Sequence, residues 1–146
     1  MKEKIARTIK SITERYGTCD PYIICDILGI SVIKTELPSS TNGFFISLSG
    51  RKAIVINSAL SGDIEKYCLA HELGHALLHE KLNWAFLSQN TYFVTTKFER
   101  EADLFAAYLL LGMPTKEDLQ NKSLFEISQN YKIPLSSIEE WANLAS

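Results

Sequence analysis

The stretch AHELGHALLHE, residues 70–80, sets three histidines four residues apart around one glutamate. Positions four apart in a helix lie about 40° apart around the axis and about 6 Å along it. His71 and His75 can therefore aim two imidazoles at one point, with Glu72 at the flank of the first. His71-Glu72-Leu73-Gly74-His75 fits H-E-x-x-H, in which two histidines hold zinc and the glutamate works as general base. Zinc held by neutral imidazoles brings a water's pKa down to about 7, and Glu72 can take the proton as that water attacks a carbonyl. The competing reading is the packed face of a buried helix.

The flanks decide that the motif is helical. Ser61, Gly62 and Asp63 supply a helix start with Glu65 in the first turn, and Ile64, Tyr67, Cys68 and Leu73 continue the apolar period to Leu78. Upstream, a helix over 2–16 presents Ile5, Ile9, Ile12 and Tyr16 and ends at Gly17. Asp20 before Pro21 caps a second helix that runs to Leu28 and stops at Gly29. Residues 31–37, 43–48 and 52–57 are rich in Ile, Val, Phe and Thr, and Ser49-Gly50 turns the last two into an antiparallel hairpin. Residues 81–97, with Trp84, Phe86, Tyr92 and Phe93, are irregular and suit a cleft wall. A further helix over 98–111 ends at Gly112 with Pro114 behind it. Residues 114–146 carry two capping-box patterns, Ser123 with Glu126 and Ser136 with Glu139, around a turn at 132–134.

A chain of 146 residues, 46% of them hydrophobic, can bury one substantial core. With 15 Lys and Arg against 17 Asp and Glu, it lacks the basic excess of a general nucleic-acid binder. No apolar run approaches the roughly 18 residues of a membrane span, and the charged start MKEKIARTIKSITERYG has no signal-peptide core. A cytoplasmic protein is expected. Cys19, Cys25 and Cys68 are too few for a disulfide framework and fit a reducing compartment as free thiols.

A catalytic zinc takes a third protein ligand and keeps an open position. His79, Cys68 and a distant carboxylate are the available donors. His79 is rotated a further 40° or so, which makes it a strained partner, and its simpler role is a polar residue favourable to the helix dipole in the last turn. In FEREADLFAAYLL, residues 98–110, Glu99 and Asp103 share a helix face. One of these carboxylates can ligate the ion while the other accepts a ring N–H from a histidine ligand and fixes its tautomer. Glu101, about 200° from Glu99, is expected to face solvent or Arg100.

HELGHALLH at 71–79 followed by FEREADLFAAYLL at 98–110 resembles the ImmA/IrrE family of zinc metallo-endopeptidases. The preceding layout agrees with it: YGTCDP, ILGISV, a hairpin with NGFFISL, and AIVIN leading into the motif helix. The resemblance spans roughly residues 10–114. It implies a gluzincin-type site in which His71, His75 and Glu99 hold zinc, Glu72 is the catalytic base and Asp103 supports a ligand from behind. It also implies a protein substrate, a partner helix-turn-helix repressor encoded on a phage or integrative element, whose cleavage relieves repression.

The expected architecture is α+β: a mostly helical single domain, a small antiparallel sheet beside the motif helix and a helical tail. Residues 1–113 form the metallopeptidase domain and 114–146 a helix-turn-helix-like hairpin packed on it. That hairpin raises DNA binding through Ser136, Ser137 and Trp141, yet its three lysines and five acids make direct nucleic-acid binding unfavourable. Oxyanion stabilisation falls to Tyr67, Tyr92, Tyr108, Arg100 or the metal. An extended substrate can pair with a strand of the 43–57 hairpin. The rival functions are a non-proteolytic regulator with structural zinc and an interaction module carrying a chance motif.

Overall fold

The computed structural model describes residues 1–79 and 92–145. Helix α1 (Lys2–Tyr16) buries Ile5, Ile9 and Ile12 on one stripe and ends where Gly17, at φ 67°, turns left-handed and donates its N–H to the Thr13 carbonyl. Helix α2 (Pro21–Ile27) starts as the Asp-Pro pair predicts, the Asp20 carboxylate accepting the Tyr22 N–H at 2.9 Å.

Three strands follow: β1 (Ile30–Thr35), β2 (Gly43–Leu48) and β3 (Arg51–Asn57). The 43–57 hairpin is antiparallel, with Gly43 opposite Ile56 and Leu48 opposite Arg51. The sheet as a whole is mixed rather than antiparallel, because β1 lies parallel to β3 and the spatial order is β1-β3-β2. Apolarity decides the order. β3 buries Ile54, Val55 and Ile56 consecutively, as a strand covered on both faces requires, whereas β1 and β2 are largely exposed edges.

Helix α3 (Gly62–Leu78) is buried nearly all round, from Cys68 to Leu78. It packs on α4 (Tyr92–Leu111), which begins six residues before the predicted start at Phe98. Of the irregular stretch 81–97 expected to form a cleft wall, residues 81–91, including Trp84 and Phe86, lie outside the described residues. The two helices approach closely at Gly74, where a Cβ would sit 3.1 Å from the buried Phe105 ring. Glycine in the motif thus lets α4 bring its carboxylates near the histidines.

The tail forms α5 (Lys116–Asn121), α6 (Leu124–Tyr131) and α7 (Leu135–Ala142), with a 3-10 turn over Asn143–Ala145. The Ser123–Glu126 capping box is present, and so is one the sequence reading passed over, Thr115 with Asp118. Ser136 with Glu139 is not a cap. α7 starts after Pro134, so Ser136 already lies inside the first turn. Ile127, Ile133, Ile138 and Trp141 join the same hydrophobic core as α1, α3 and α4. The Trp141 indole N–H donates to the Gly112 carbonyl at 2.7 Å. Ser137 and Trp141, considered as base-reading positions, face the interior at 1% and 2% exposure.

Candidate metal centre

α3 and α4 together build the centre. One turn apart on α3, His71 and His75 turn their Nε2 atoms toward α4, where Glu99 meets both. Glu99 Oε2 lies 3.0 Å from His71 Nε2, and Oε1 lies 2.8 Å from His75 Nε2. One turn further along α4, Asp103 Oδ1 lies 2.8 Å from His71 Nδ1. The i to i+4 pairing of Glu99 with Asp103 therefore places one carboxylate on the Nε2 side of the imidazole and the other on its Nδ1 side. Ligand atoms of His71, Glu72 and His75 fall within 4.8 Å of one another, a group able to hold a metal ion. Glu72 is buried at 6% exposure.

Electrostatics test whether these residues suit a cation. Burial pulls the His71 pKa down, but hydrogen bonds to Asp103 and Glu99 outweigh it and raise the ring to about 10. Burial raises Glu99, yet His71 and His75 hold its carboxyl far below the usual range. With the His71 Nδ1–H given to Asp103, a neutral ring turns the Nε2 lone pair onto a carboxylate oxygen. Two acceptors then face each other, a conflict that a proton or a metal cation between them removes. Two imidazole nitrogens and a carboxylate form a donor set suited to zinc. Burial also raises the Glu72 carboxyl, only partly offset by His71 and His75, which favours proton uptake there.

A cleft of about 420 Å³ opens onto the group. Gly43 of β2 forms one wall, Ile64 and Tyr67 of α3 another, and Lys132 and Pro134 of the α6–α7 turn a third. β2 comes this close because residue 43 lacks a side chain: a Cβ there would meet the Val55 carbonyl at 2.6 Å and Cys68 Sγ at 3.1 Å. Cys68 stays outside the metal-holding group among the described residues, and burial pushes its thiol up to about 12.

Two features went unseen in the sequence. His79, placed at the dipole end of α3, is fully buried, with Nδ1 3.0 Å from His75 Nδ1 and Nε2 3.2 Å from Glu101 Oε1. Burial lowers the His79 pKa to about 4, and His75 adds to the effect. Glu101 does not face solvent or Arg100. It is 7% exposed because α4 is covered on that side too, as the burial of Ala102, Phe105 and Leu109 attests. The second feature is a chain from the tail: Ser137 Oγ to Tyr67 OH at 2.9 Å, and Tyr67 OH to Asp103 Oδ1 at 2.9 Å. Histidine spacing hinted at the first; nothing local signals the second.

An H-E-x-x-H helix packed on an E-x-x-x-D helix beside a small sheet defines a metallopeptidase-type centre. Residues 25–139 match the peptidase M78 family, described as the IrrE N-terminal-like domain, so the chain belongs to the ImmA/IrrE family of metallopeptidases. The match runs past Pro114 into the tail. Among curated relatives, Uncharacterized immunity region protein 2 of Bacillus phage phi105 is 36% identical over 107 residues, covering 73% of this chain and 68% of the relative. Metallopeptidase ImmA of Bacillus subtilis (strain 168) is 31% identical over 107 residues, covering 73% of this chain and 63% of the relative. The alignments thus span about two thirds of the relatives' length. Among the described residues, no helix is long and apolar enough to cross a membrane.

Proposed function

We propose that the chain is a zinc-dependent, site-specific metallo-endopeptidase acting in the cytoplasm on a helix-turn-helix transcriptional repressor. The observation that carries the hydrolytic reading is the meeting of both histidine Nε2 atoms with the two oxygens of Glu99, at 3.0 and 2.8 Å, beside the buried Glu72. His71, His75 and Glu99 would hold the ion. Bound zinc supplies Lewis acidity toward a peptide carbonyl and makes water more acidic. Glu72, with its carboxyl raised, accepts the proton of the attacking water and passes it to the leaving amine. Asp103 holds the His71 ring through Nδ1. β2 is an edge strand that begins at the cleft, so an extended peptide would add along it by main-chain pairing. The repressor substrate rests on the family resemblance, and the phage relative's name, which speaks of an immunity region, fits a regulatory role.

The test begins with metal analysis of the purified wild type beside His75→Ala and Glu99→Ala. Stoichiometric zinc that disappears in both variants is the expected result. Glu72→Gln should keep the metal and lose about 10²- to 10⁴-fold in cleavage of a helix-turn-helix repressor that the wild type cuts. Wild type that takes up no zinc, or a fully active Glu72→Gln, would defeat the hydrolytic reading, the latter in favour of a non-proteolytic regulator with structural zinc.

A further inference from the structure

Behind His75, on the side away from the cleft, His79 and Glu101 lie buried against each other, and hydrolysis assigns them no task. Burying a carboxyl group with an imidazole is costly in desolvation unless hydrogen bonds offset it. Glu101 Oε2 has no hydrogen-bond partner among the described residues, so the carboxylate depends on its 3.2 Å contact with His79 Nε2. Packing alone gives no reason to keep such a pair between two helices.

Counting hydrogens gives one. Glu101 Oε1 accepts whether the carboxyl is ionised or carries its proton on Oε2, so the hydrogen of a neutral His79 sits on Nε2 and points at it. His79 Nδ1 is then a lone pair, and it lies 3.0 Å from His75 Nδ1. For that contact to be a hydrogen bond, His75 must carry its hydrogen on Nδ1. Its lone pair is thereby left on Nε2, the atom 2.8 Å from Glu99.

We propose that Glu101 and His79 are positioning residues that fix His75 as the Nδ1–H tautomer and aim its Nε2 lone pair at the metal position, through the line Glu101–His79–His75. His71 receives the same service from Asp103 in one step; His75 receives it in two. This inference rests on the zinc-peptidase reading above.

The test uses the full chain as wild type, Glu101→Gln, His79→Phe and His79→Gln, with zinc affinity read by competition against a chromophoric chelator. Phenylalanine at 79 keeps an aromatic ring against Phe98, whose centroid lies 4.8 Å from that of His79, but removes the hydrogen bonds. Glu101→Gln and His79→Phe should each weaken zinc binding about 10- to 100-fold. His79→Gln, whose amide oxygen can accept from His75, should recover part of the loss. Glu99 draws a hydrogen onto His75 Nε2 when no metal is bound, so nitrogen NMR is read on zinc-free Glu99→Ala, which should hold the His75 hydrogen on Nδ1, and adding Glu101→Gln should shift it toward a mixture. Variants that bind zinc like wild type with the His75 tautomer unchanged overturn the proposal while leaving the zinc site standing. Glu99→Ala with the His75 hydrogen on Nε2 overturns it even if the other variants fail to fold. Wild type that takes no zinc, with His75 held as Nδ1–H in Glu99→Ala, defeats the peptidase reading and supports the relay.

Discussion

Tyr67 links the two levels of the centre through one hydroxyl. Its proton goes to Asp103, which only accepts, and its oxygen takes the hydrogen of Ser137. A tyrosine so committed has no hydrogen to offer an oxyanion, which removes it from the candidates that its position beside the motif suggested. Burial and the adjacent Asp103 both raise its pKa, so the phenol stays neutral. Tyr67→Phe should cost about 1–3 kcal/mol, since it leaves the Ser137 hydroxyl buried without this partner. Urea denaturation of the zinc-free proteins measures that difference. Zinc affinity should fall only a few-fold, because the 2.8 Å bond from His71 to Asp103 survives. A hundred-fold loss would mean that Asp103 depends on Tyr67 for its placement. The i to i+4 pairs of the motif were legible because both partners share one helix. Ser137 and Glu101 were not, because a wheel angle gives a direction and not the neighbour that lies in it.

Between elements, Glu65 of α3 ties three of them together, meeting the Lys34 ammonium of β1 at 2.6 Å and the Tyr22 hydroxyl of α2. Lys34, then Tyr22, holds the Glu65 carboxyl below its ordinary range. A carboxylate with a depressed folded pKa contributes stability that is fully present above its unfolded value, about 4.3, and is lost as pH falls through the folded one. Melting temperature should therefore decline in acid below about pH 4 for the wild type, and less steeply for Glu65→Gln. At neutral pH that variant should be about 1 kcal/mol less stable, since Lys34 is half exposed and partly screened. Parallel acid limbs in the two proteins would show that the tie contributes nothing. The bounds of α1, α2, α3 and the hairpin were legible because their signals are local: Gly17, Asp20-Pro21, Ser61 and Ser49-Gly50. The parallel pairing of β1 with β3 is set by a partner some twenty residues away, which no local signal encodes. The start of α4 at Tyr92 was equally illegible, because Val94, Thr95 and Thr96 are weak helix formers.

At the scale of the whole molecule, the question is whether the tail is a passenger or a part of the fold. Ile127, Ile133, Ile138 and Trp141 are each at most 3% exposed and share the core of α1, α3 and α4. At about 2 kcal/mol for each buried side chain, the four contribute on the order of 8 kcal/mol, comparable to the roughly 5–15 kcal/mol net stability of an ordinary domain. The tail also supplies Lys132 and Pro134 to the cleft wall and Ser137 to the Tyr67–Asp103 line. The full chain should therefore unfold in one transition, coincident in far-ultraviolet dichroism and tryptophan fluorescence. A chain ending at Met113 should keep helical signal but lose the cooperative melt, because the Gly112 end of α4 and its buried face would be left uncovered. Zinc should not rescue it at micromolar concentration, since binding to a fold of such low stability first has to offset those lost kilocalories. If the shortened chain melts cooperatively and binds zinc as the full chain does, residues 1–113 form a domain in their own right, and the helices after Pro114 are free to serve a partner.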